Sequence, residues 1–574
     1  MAKGMGYGAL VLVAVLTLSC GGQTPGDEVT EMAFSRFVDQ LVARIAPLQR
    51  DMALAKFEAS VSGRQEDYAR AAALELELKK IYANREDFAR LERWREAGTV
   101  KDPLLARQLE VVRAEFLANQ LPEATLTRLV ELQSAVEQRF NTHRAVIDGV
   151  EVSDNRVAEI LRSSTDSAEL ERAWLASKEI GGKVAADVIE LVKLRNQAAQ
   201  SLGFANFHTM ELVLGEQDPA EIEALFDELD RLTRDEFARA KAEIDADLAK
   251  RLGLQLQDLR PWHYRNPFFQ EAPFVPDVNL DSYYQGADPV QLTQDFYAGV
   301  GLPIAELIAR SDLYEKPGKY QHAFCEDIDR EGDVRVLASV RPDAYWMNTM
   351  LHEFGHAVYD RYHDRQVPWL LRTPAHPFTT EAIANLFGRF ASQPDWLHDM
   401  VGISAEERDR IREAAARSLR LEQLLFSRWS QVMFRFEKAL YQDPDQDLNT
   451  LWWDLVERYQ LLIRPEGRNQ PDWAAKIHVA LYPAYYHNYL LGELLASQLY
   501  NHIGSQVLQA EDVFKQSFVG RPEVGSYLRE KVFEPGKTLR WNEMIEAATG
   551  EPLTPRYYAL QFISGATPGE AGVQ

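Results

Sequence analysis

Two cysteines stand in 574 residues, Cys20 and Cys325. That is too few for a disulfide framework, so an apolar core must hold the fold. Basic residues are in the minority: 63 Lys and Arg face 87 Asp and Glu, for a formal net charge of −24. Such a surplus argues against nucleic acid or an anionic membrane surface as partner. No stretch is apolar for long enough to span a bilayer, and the short run from Tyr7 to Leu18 falls well below that length. Strand signals are few, and no tandem repeat is evident. What the chain does have is 46% hydrophobic residues, many Ala, Leu, Glu and Arg, and modest Gly and Pro. That composition predicts a mainly α protein.

The opening residues carry a basic start at Lys3, the short apolar run, and then Ser19-Cys20-Gly21-Gly22. Leu16-Thr17-Leu18-Ser19-Cys20 resembles a bacterial lipobox, although Leu18 before Ser19 is an imperfect fit. The reading is a lipoprotein signal over residues 1–19, lipid on Cys20 and a polar tether over 20–30. It implies a periplasmic or outer-membrane lipoprotein of a bacterial cell envelope, touching the membrane through that anchor alone. An ordinary signal peptide, leaving a secreted or periplasmic soluble protein, is the alternative. With Cys20 acylated, Cys325 has no partner and is expected to pack in the core.

Helical spacing begins at Phe34, Phe37, Val38, Leu41, Val42, Ile45 and Leu48, and similar patterns continue to about Leu252. Ser404-Ala405-Glu406-Glu407 is a capping-box signal for a long helix reaching about Leu440. The Pro- and aromatic-rich segment Arg260–Pro289 reads as irregular. It divides an N-terminal helical part (31–260) from a catalytic part (261–565), both expected within one peptidase domain. The clearest strand is Val334–Val340, expected to pair with the Gln321–Cys325 edge.

His352-Glu353-Phe354-Gly355-His356 is the chemical centre of the sequence. Pro342-Asp343 forms a helix start, and Tyr345, Met347, Met350, Leu351, Phe354 and Val358 recur at roughly helical spacing. His352 and His356 then share one face, where two imidazoles can grip one Zn²⁺. Glu353 is placed to take a proton from water at the metal. Gly355, costly in a helix interior, points to close backbone approach beneath the site. A hydrolytic zinc wants a third protein ligand and one open position. Thr379-Thr380-Glu381 reads as a capped helix start with the acid in its first turn, so Glu381 serves either as that ligand or as a complement to the helix dipole. Asn385, four residues on, can orient a ligand imidazole. His363 and His376 are rivals, but His363 lies about 10 Å along the helix from His356, too far to share an ion with His352.

Later in the chain His478, Tyr482, Tyr485, Tyr486 and Tyr489 crowd together, the tyrosines at i, i+3, i+4, i+7. They form either a packed aromatic stripe on one helix or a set of catalytic donors. Lys476 is either a cation aimed at substrate or a surface side chain lying along apolar neighbours.

Several separated segments carry a resemblance in one order. They are Gly318-Lys319-Tyr320-Gln321-His322-Ala323-Phe324, the HEFGH pentamer, Glu381-Ala382-Ile383, Leu451-Trp452-Trp453 with Tyr459-Gln460, Lys476-Ile477-His478, Tyr485-Tyr486-His487-Asn488-Tyr489, and Phe518-Val519-Gly520 through Tyr558 with Ile545–Gly550. Together they resemble the angiotensin-converting enzyme family of zinc peptidyl dipeptidases, a gluzincin family, with some likeness to thimet oligopeptidase and oligoendopeptidase F. The resemblance implies a large helical metallopeptidase with a deep central cleft between two halves and a small antiparallel β-element beside the zinc helix. It implies one Zn²⁺ per chain on His352, His356 and Glu381, with Glu353 as base and Tyr489 and His478 as oxyanion donors. His322 and Ala323 would hold the substrate backbone, and Lys476 with Tyr486 its C-terminal carboxylate, so that a monomer releases dipeptides from short peptides. Two departures stand out. The family's clamp glutamine is not evident in Pro261-Trp262-His263-Tyr264-Arg265, which leans toward an oligoendopeptidase without end-counting. His487-Asn488 replace the family's chloride-site arginine, which argues against chloride activation. A non-catalytic peptide-binding lipoprotein is the remaining reading.

Overall fold

Phe34, Phe37, Val38, Leu41 and Ile45 line the buried face of a helix running from Glu31 to Ser62 in the computed structural model, which describes residues 29–272 and 278–563. The expected signal, Cys20 and nearly all of the tether lie outside the described residues. Thr30 starts this helix by accepting a hydrogen bond from the Ala33 N–H at 3.2 Å, and Gly63 ends it in the left-handed conformation at φ 67°. Helices dominate from there on. No helix among the described residues is long and apolar enough to cross a membrane. The capping signal at Ser404 opens Ala405–Gln442, its hydroxyl accepting from the Glu407 N–H at 3.1 Å.

Among the described residues the sheet content is two antiparallel pairs. β1 (Ala145–Ile147) pairs with β2 (Val150–Val152), and β3 (Phe324–Asp327) with β4 (Val334–Leu337). The β3–β4 register runs from Phe324 opposite Leu337 to Asp327 opposite Val334. The expected strand Val334–Val340 therefore stops early, and its partner begins at Phe324, not Gln321. The reason lies in rival backbone partners: the N–H groups of Ala338 and Val340 donate to Asp312 and Leu313 at 2.9 Å each. His322, in a bend, and Ala323 immediately precede β3 and lie outside the strand.

Three main apolar cores hold these elements. The largest joins Met347, Phe354 and Val358 of the helix Ala344–Arg361 to Ile383 and Phe387, Leu491 and Leu495, and Trp541. A second gathers Trp174, Trp429, Trp452, Trp453 and Trp473, so the Trp-Trp segment seen in the sequence is core. The third belongs to the N-terminal helices, around Phe34, Phe37, Trp94 and Phe116.

The first helix also props the approach to β3. A Cβ on Gly63 would meet the Gly318 carbonyl oxygen at 1.9 Å, and the Tyr320 N–H donates to Ser60 at 2.9 Å. Lys319, 3% exposed, turns its ammonium inward onto the Asp312 and Tyr314 carbonyls at 2.9 and 2.8 Å. Gly63→Ala adds a left-handed penalty of about 1–2 kcal/mol to this steric clash. Its urea-unfolding midpoint should fall below that of the parent chain by more than the conformational penalty alone.

Candidate active site

Asp343 caps the metal helix Ala344–Arg361, its carboxylate accepting from the Trp346 N–H at 2.8 Å. The helix buries Met347, Met350, Leu351, Phe354 and Val358, and its polar side carries His352 and His356. The second helix runs from Pro377 to Gly388 and is capped by His376, whose Nδ1 accepts from the Phe378 N–H at 3.2 Å. This start precedes the expected one, because Thr379 is buried and its hydroxyl donates back to the His376 carbonyl at 2.7 Å. Glu381 accordingly sits in the second turn, where the dipole role fades. His376, a rival ligand by sequence, is spent as the cap.

Glycine lets these helices touch. A Cβ on Gly355 would lie 2.7 Å from Ala384 Cα, and one on Gly492 would lie 2.9 Å from Glu381 Cβ. The helix bearing Glu381 is thus pressed between the metal helix and the helix His487–His502. The sequence reading of Gly355 as a point of close backbone approach holds.

The three expected ligand atoms converge. Nε2 of His352 and Nε2 of His356 are 3.3 Å apart, and Glu381 Oε2 lies 3.7 Å from the first and 3.8 Å from the second. A point equidistant from all three is about 2.1 Å from each, the length of a zinc bond to nitrogen or carboxylate oxygen. Supporting bonds leave the Nε2 lone pairs free: His356 Nδ1 is 2.8 Å from the Thr380 hydroxyl, and the Asn385 side chain hydrogen-bonds His352. Burial pulls His352 down to about 4 and His356 well down, so both are neutral, as metal ligation requires. Burial pushes Glu381 up to about 7, with Glu493 adding. It pushes Glu353 up to about 8, with the Glu381 carboxylate adding. Two buried acids against two neutral imidazoles make a pocket short of positive charge, which a divalent cation would supply. The residues fit zinc.

The aromatic cluster is arranged otherwise than the sequence suggests. Tyr482 to Tyr489 do not form one helical stripe. The helix Ile477–Leu481 ends, Pro483 and left-handed Ala484 (φ 53°) intervene, and the next helix starts at His487. Glu437, buried, accepts the Ala484 N–H at 2.6 Å and stabilises the break. As a result the Tyr486 hydroxyl accepts from Trp429 Nε1 at 2.7 Å, whereas Tyr489 feels the Glu381 carboxylate. Burial, with that carboxylate adding, pushes the Tyr489 phenol up to about 12, so it stays a donor. His478 has its ring 6.4 Å from that of Tyr489 and its Nδ1 buried without a partner. Burial, with Lys476 adding, brings it down to about 4.

Lys476 is 8% exposed, not a surface side chain. Its ammonium is 2.6 Å from Gln270 Oε1 and 5.7 Å from the Tyr486 ring centre. A glutamine does therefore stand beside this lysine, beyond the Pro261–Arg265 stretch where the sequence offered none. Its loop is pinned by Gln460, which donates to the Phe268 and Phe269 carbonyls at 2.9 and 3.0 Å, and by Lys178, which donates to Pro267 at 2.7 Å. Burial lowers Lys476 to about 8, opposed by Glu271, so it remains a cation at neutral pH. His487 and Asn488 both bond the buried Gln217, at 2.7 and 2.8 Å. His322 is exposed, its ring 5.3 Å from that of Tyr320, and Ala323 is half-buried beside it. Neither makes a contact to the ligand triad among the described residues. Thr380, Gln270 and Trp429 are site residues that sequence reasoning missed. Only Thr380, one turn-step from a ligand on a capped helix, left a trace there.

A family model described as angiotensin-converting enzyme matches residues 28–242 and 280–557. The chain belongs to that family. The angiotensin-converting enzyme of Mesocricetus auratus is 24% identical over 298 residues, covering 49% of this chain and 22% of that protein. The inactive angiotensin-converting enzyme-related protein of Caenorhabditis elegans is 20% identical over 442 residues, covering 68% of this chain and 47% of that protein. Thermostable carboxypeptidase 1 of Pyrococcus furiosus is 27% identical over 263 residues, covering 39% and 49%. The chain spans about a quarter of the length of the mammalian angiotensin-converting enzymes it matches. Gln270 falls in the interval between the two matched stretches of the family model, which is why the family pattern did not reveal it.

Thr380→Val removes the hydroxyl that orients His356 and keeps the shape. Zinc affinity, measured by competition with a chromophoric chelator, should weaken about 10–100-fold with the fold intact by circular dichroism.

Proposed function

We propose that this member of the angiotensin-converting enzyme family is a zinc peptidyl dipeptidase that removes dipeptides from the free carboxyl end of short, unstructured peptides. The observation that carries the cleavage mode is the buried ammonium of Lys476 held 2.6 Å from Gln270 beside Tyr486. A fixed cation with an amide and a phenol is the donor set that a terminal carboxylate wants. The Pyrococcus relative is called a carboxypeptidase, in keeping with action at that end. Because one relative is inactive, membership alone does not argue activity; the intact His352, Glu353, His356 and Glu381 do.

In this reading His352, His356 and Glu381 hold the zinc. When bound, the ion supplies Lewis acidity toward water and the scissile carbonyl. Glu353 takes a proton from the attacking water and delivers it to the departing amine. The Tyr489 phenol and His478 donate to the oxygen that gains charge, worth about 3 kcal/mol for one well-placed donor. His322 and Ala323, in the segment leading into β3, offer backbone groups to the peptide as an added strand would. The lipobox-like Leu16–Cys20 supports a lipid-anchored setting in a bacterial cell envelope, with a secreted or periplasmic soluble protein as the alternative.

Glu353→Gln should keep stoichiometric zinc by elemental analysis and lose at least about 100-fold in kcat; a variant with a tenth of the parent rate contradicts the base assignment. The carboxylate clamp is read from paired peptides with free and amidated C-termini. The parent chain should prefer the free acid and release dipeptides by mass spectrometry, and Lys476→Met should erase that preference. Because Lys476 loses its charge as pH rises past about 8, kcat/KM for the free acid should fall above that pH, with no such limb for the amide. Equal cleavage of both peptides would leave an oligoendopeptidase with the same metal chemistry.

A further inference from the structure

Just beyond the catalytic ligands, the end of the metal helix and the chain that follows it carry a second set of donors that no step above uses. Asp360 follows His356 by one turn, His363 lies two residues past the last helical residue Arg361, and Asp327 closes β3 beside them. A ligand atom from each of the three lies within 4.8 Å of the other two. His363 is 3% exposed; its ring is within reach of the Asp360 carbonyl, which leaves at least one buried ring nitrogen without a partner. A buried imidazole with an idle nitrogen costs desolvation with nothing in return, unless an ion or water belongs there. The two aspartates are half-buried, which leaves a route in from solvent.

The surrounding charges do not settle the acids. Asp327 accepts backbone N–H groups, from Arg330 at 2.9 Å and from Asp329. The Arg330 guanidinium, which lies over the Trp369 ring at 4.3 Å, is near enough to favour both ionised carboxyls, and its charge is opposed there by that of Glu326. Arg365 donates to the Arg361 carbonyl at 3.3 Å and to the Arg330 carbonyl. Glu326 adds a further negative charge beside Asp360.

We infer that Asp327, Asp360 and His363 form a second divalent-metal site that clasps the end of β3 to the end of the metal helix. One imidazole with two carboxylates suits a transition ion such as Zn²⁺ or Mn²⁺ rather than the all-oxygen shell of Ca²⁺. The charge balance is neutral: two carboxylates against one dication. Asp360 lies about 6 Å of helix rise beyond His356, more than the ~4 Å of a co-catalytic pair, and the two ligand sets share no residue, so its role is structural. It would fix the strand that His322 and Ala323 lead into relative to His352 and His356.

The test uses the full chain, stripped of metal, reloaded with Zn²⁺ or Mn²⁺, desalted and assayed by elemental analysis and thermal melting. The parent should retain two equivalents. His352→Ala should retain one, together with a metal-dependent rise in melting temperature. Asp360→Asn should also retain one, and the double variant none. His363→Gln, which keeps the bulk of the ring, repeats the measurement should Asp360→Asn fold poorly. The inference is overturned if the parent holds a single equivalent that His352→Ala abolishes. It is equally overturned if Asp360→Asn raises the melting temperature without metal while the metal count stays unchanged, the result expected of two acids sharing a proton. One equivalent surviving in a peptidase-dead His352→Ala chain separates this site from the catalytic reading.

Discussion

Three helices meet at Glu381 with almost no side chain between their backbones. Gly355 admits Ala384 on one side, and Gly492 admits the Glu381 Cβ on the other. A methyl group at either point would push the helices apart by a good fraction of an ångström, in a core that relaxes only partially. That distance matters because the ligand atoms are set 3.3 to 3.8 Å apart, and metal bonds tolerate errors of about 0.2 Å. The glycine within the HEFGH pentamer is therefore part of the metal site, though it touches no metal. Packing fixes the helices, the helices fix the ligand atoms, and the remaining polar groups only trim orientation.

Around that frame the electrostatics follow from burial. Imidazoles withdrawn from water stay neutral and offer lone pairs; carboxyls withdrawn from water resist ionisation. His352, His356, Glu353 and Glu381 all show these directions, so the pocket lacks positive charge of its own and a bound dication would draw both carboxyls into their ionised form. On the opposite flank burial acts against Lys476, but Gln270 and Glu271 offset it enough to leave a charge. A chain with net charge −24 thus presents an isolated cation inside a largely aromatic wall of Trp429, Tyr486 and Phe268.

Local signals in the sequence were sufficient where one residue decides the outcome. Asp343 and Ser404 cap the helices they were expected to cap, and spacing on one helix face brings His352 to His356. The reading failed where the outcome depends on partners far along the chain. The helix of Glu381 starts early because buried Thr379 bonds backwards to His376. The tyrosine stripe breaks because Glu437, on another helix, captures the Ala484 N–H. Gln270 sits on a loop whose shape is set by Gln460 and Lys178, and an irregular segment gives periodicity nothing to read. Such contacts are long-range polar ones, and no pattern of period 2 or 3.6 encodes them.

The break at Pro483 and Ala484 shows what such a departure accomplishes. On a continuous helix Tyr485, Tyr486 and Tyr489 would point along one stripe and serve one purpose. With the chain turned at Ala484, Tyr486 faces Trp429 and Lys476, while Tyr489 faces Glu381 and lies near His478. One short segment then supplies phenols to two separate surroundings, one beside Lys476 and one beside the ligand residue Glu381. The left-handed residue costs about 1–2 kcal/mol, and Glu437 offsets that cost with a bond to a backbone N–H that would otherwise be buried unpaired. Ala484 is thus retained in a strained conformation because both phenols depend on it.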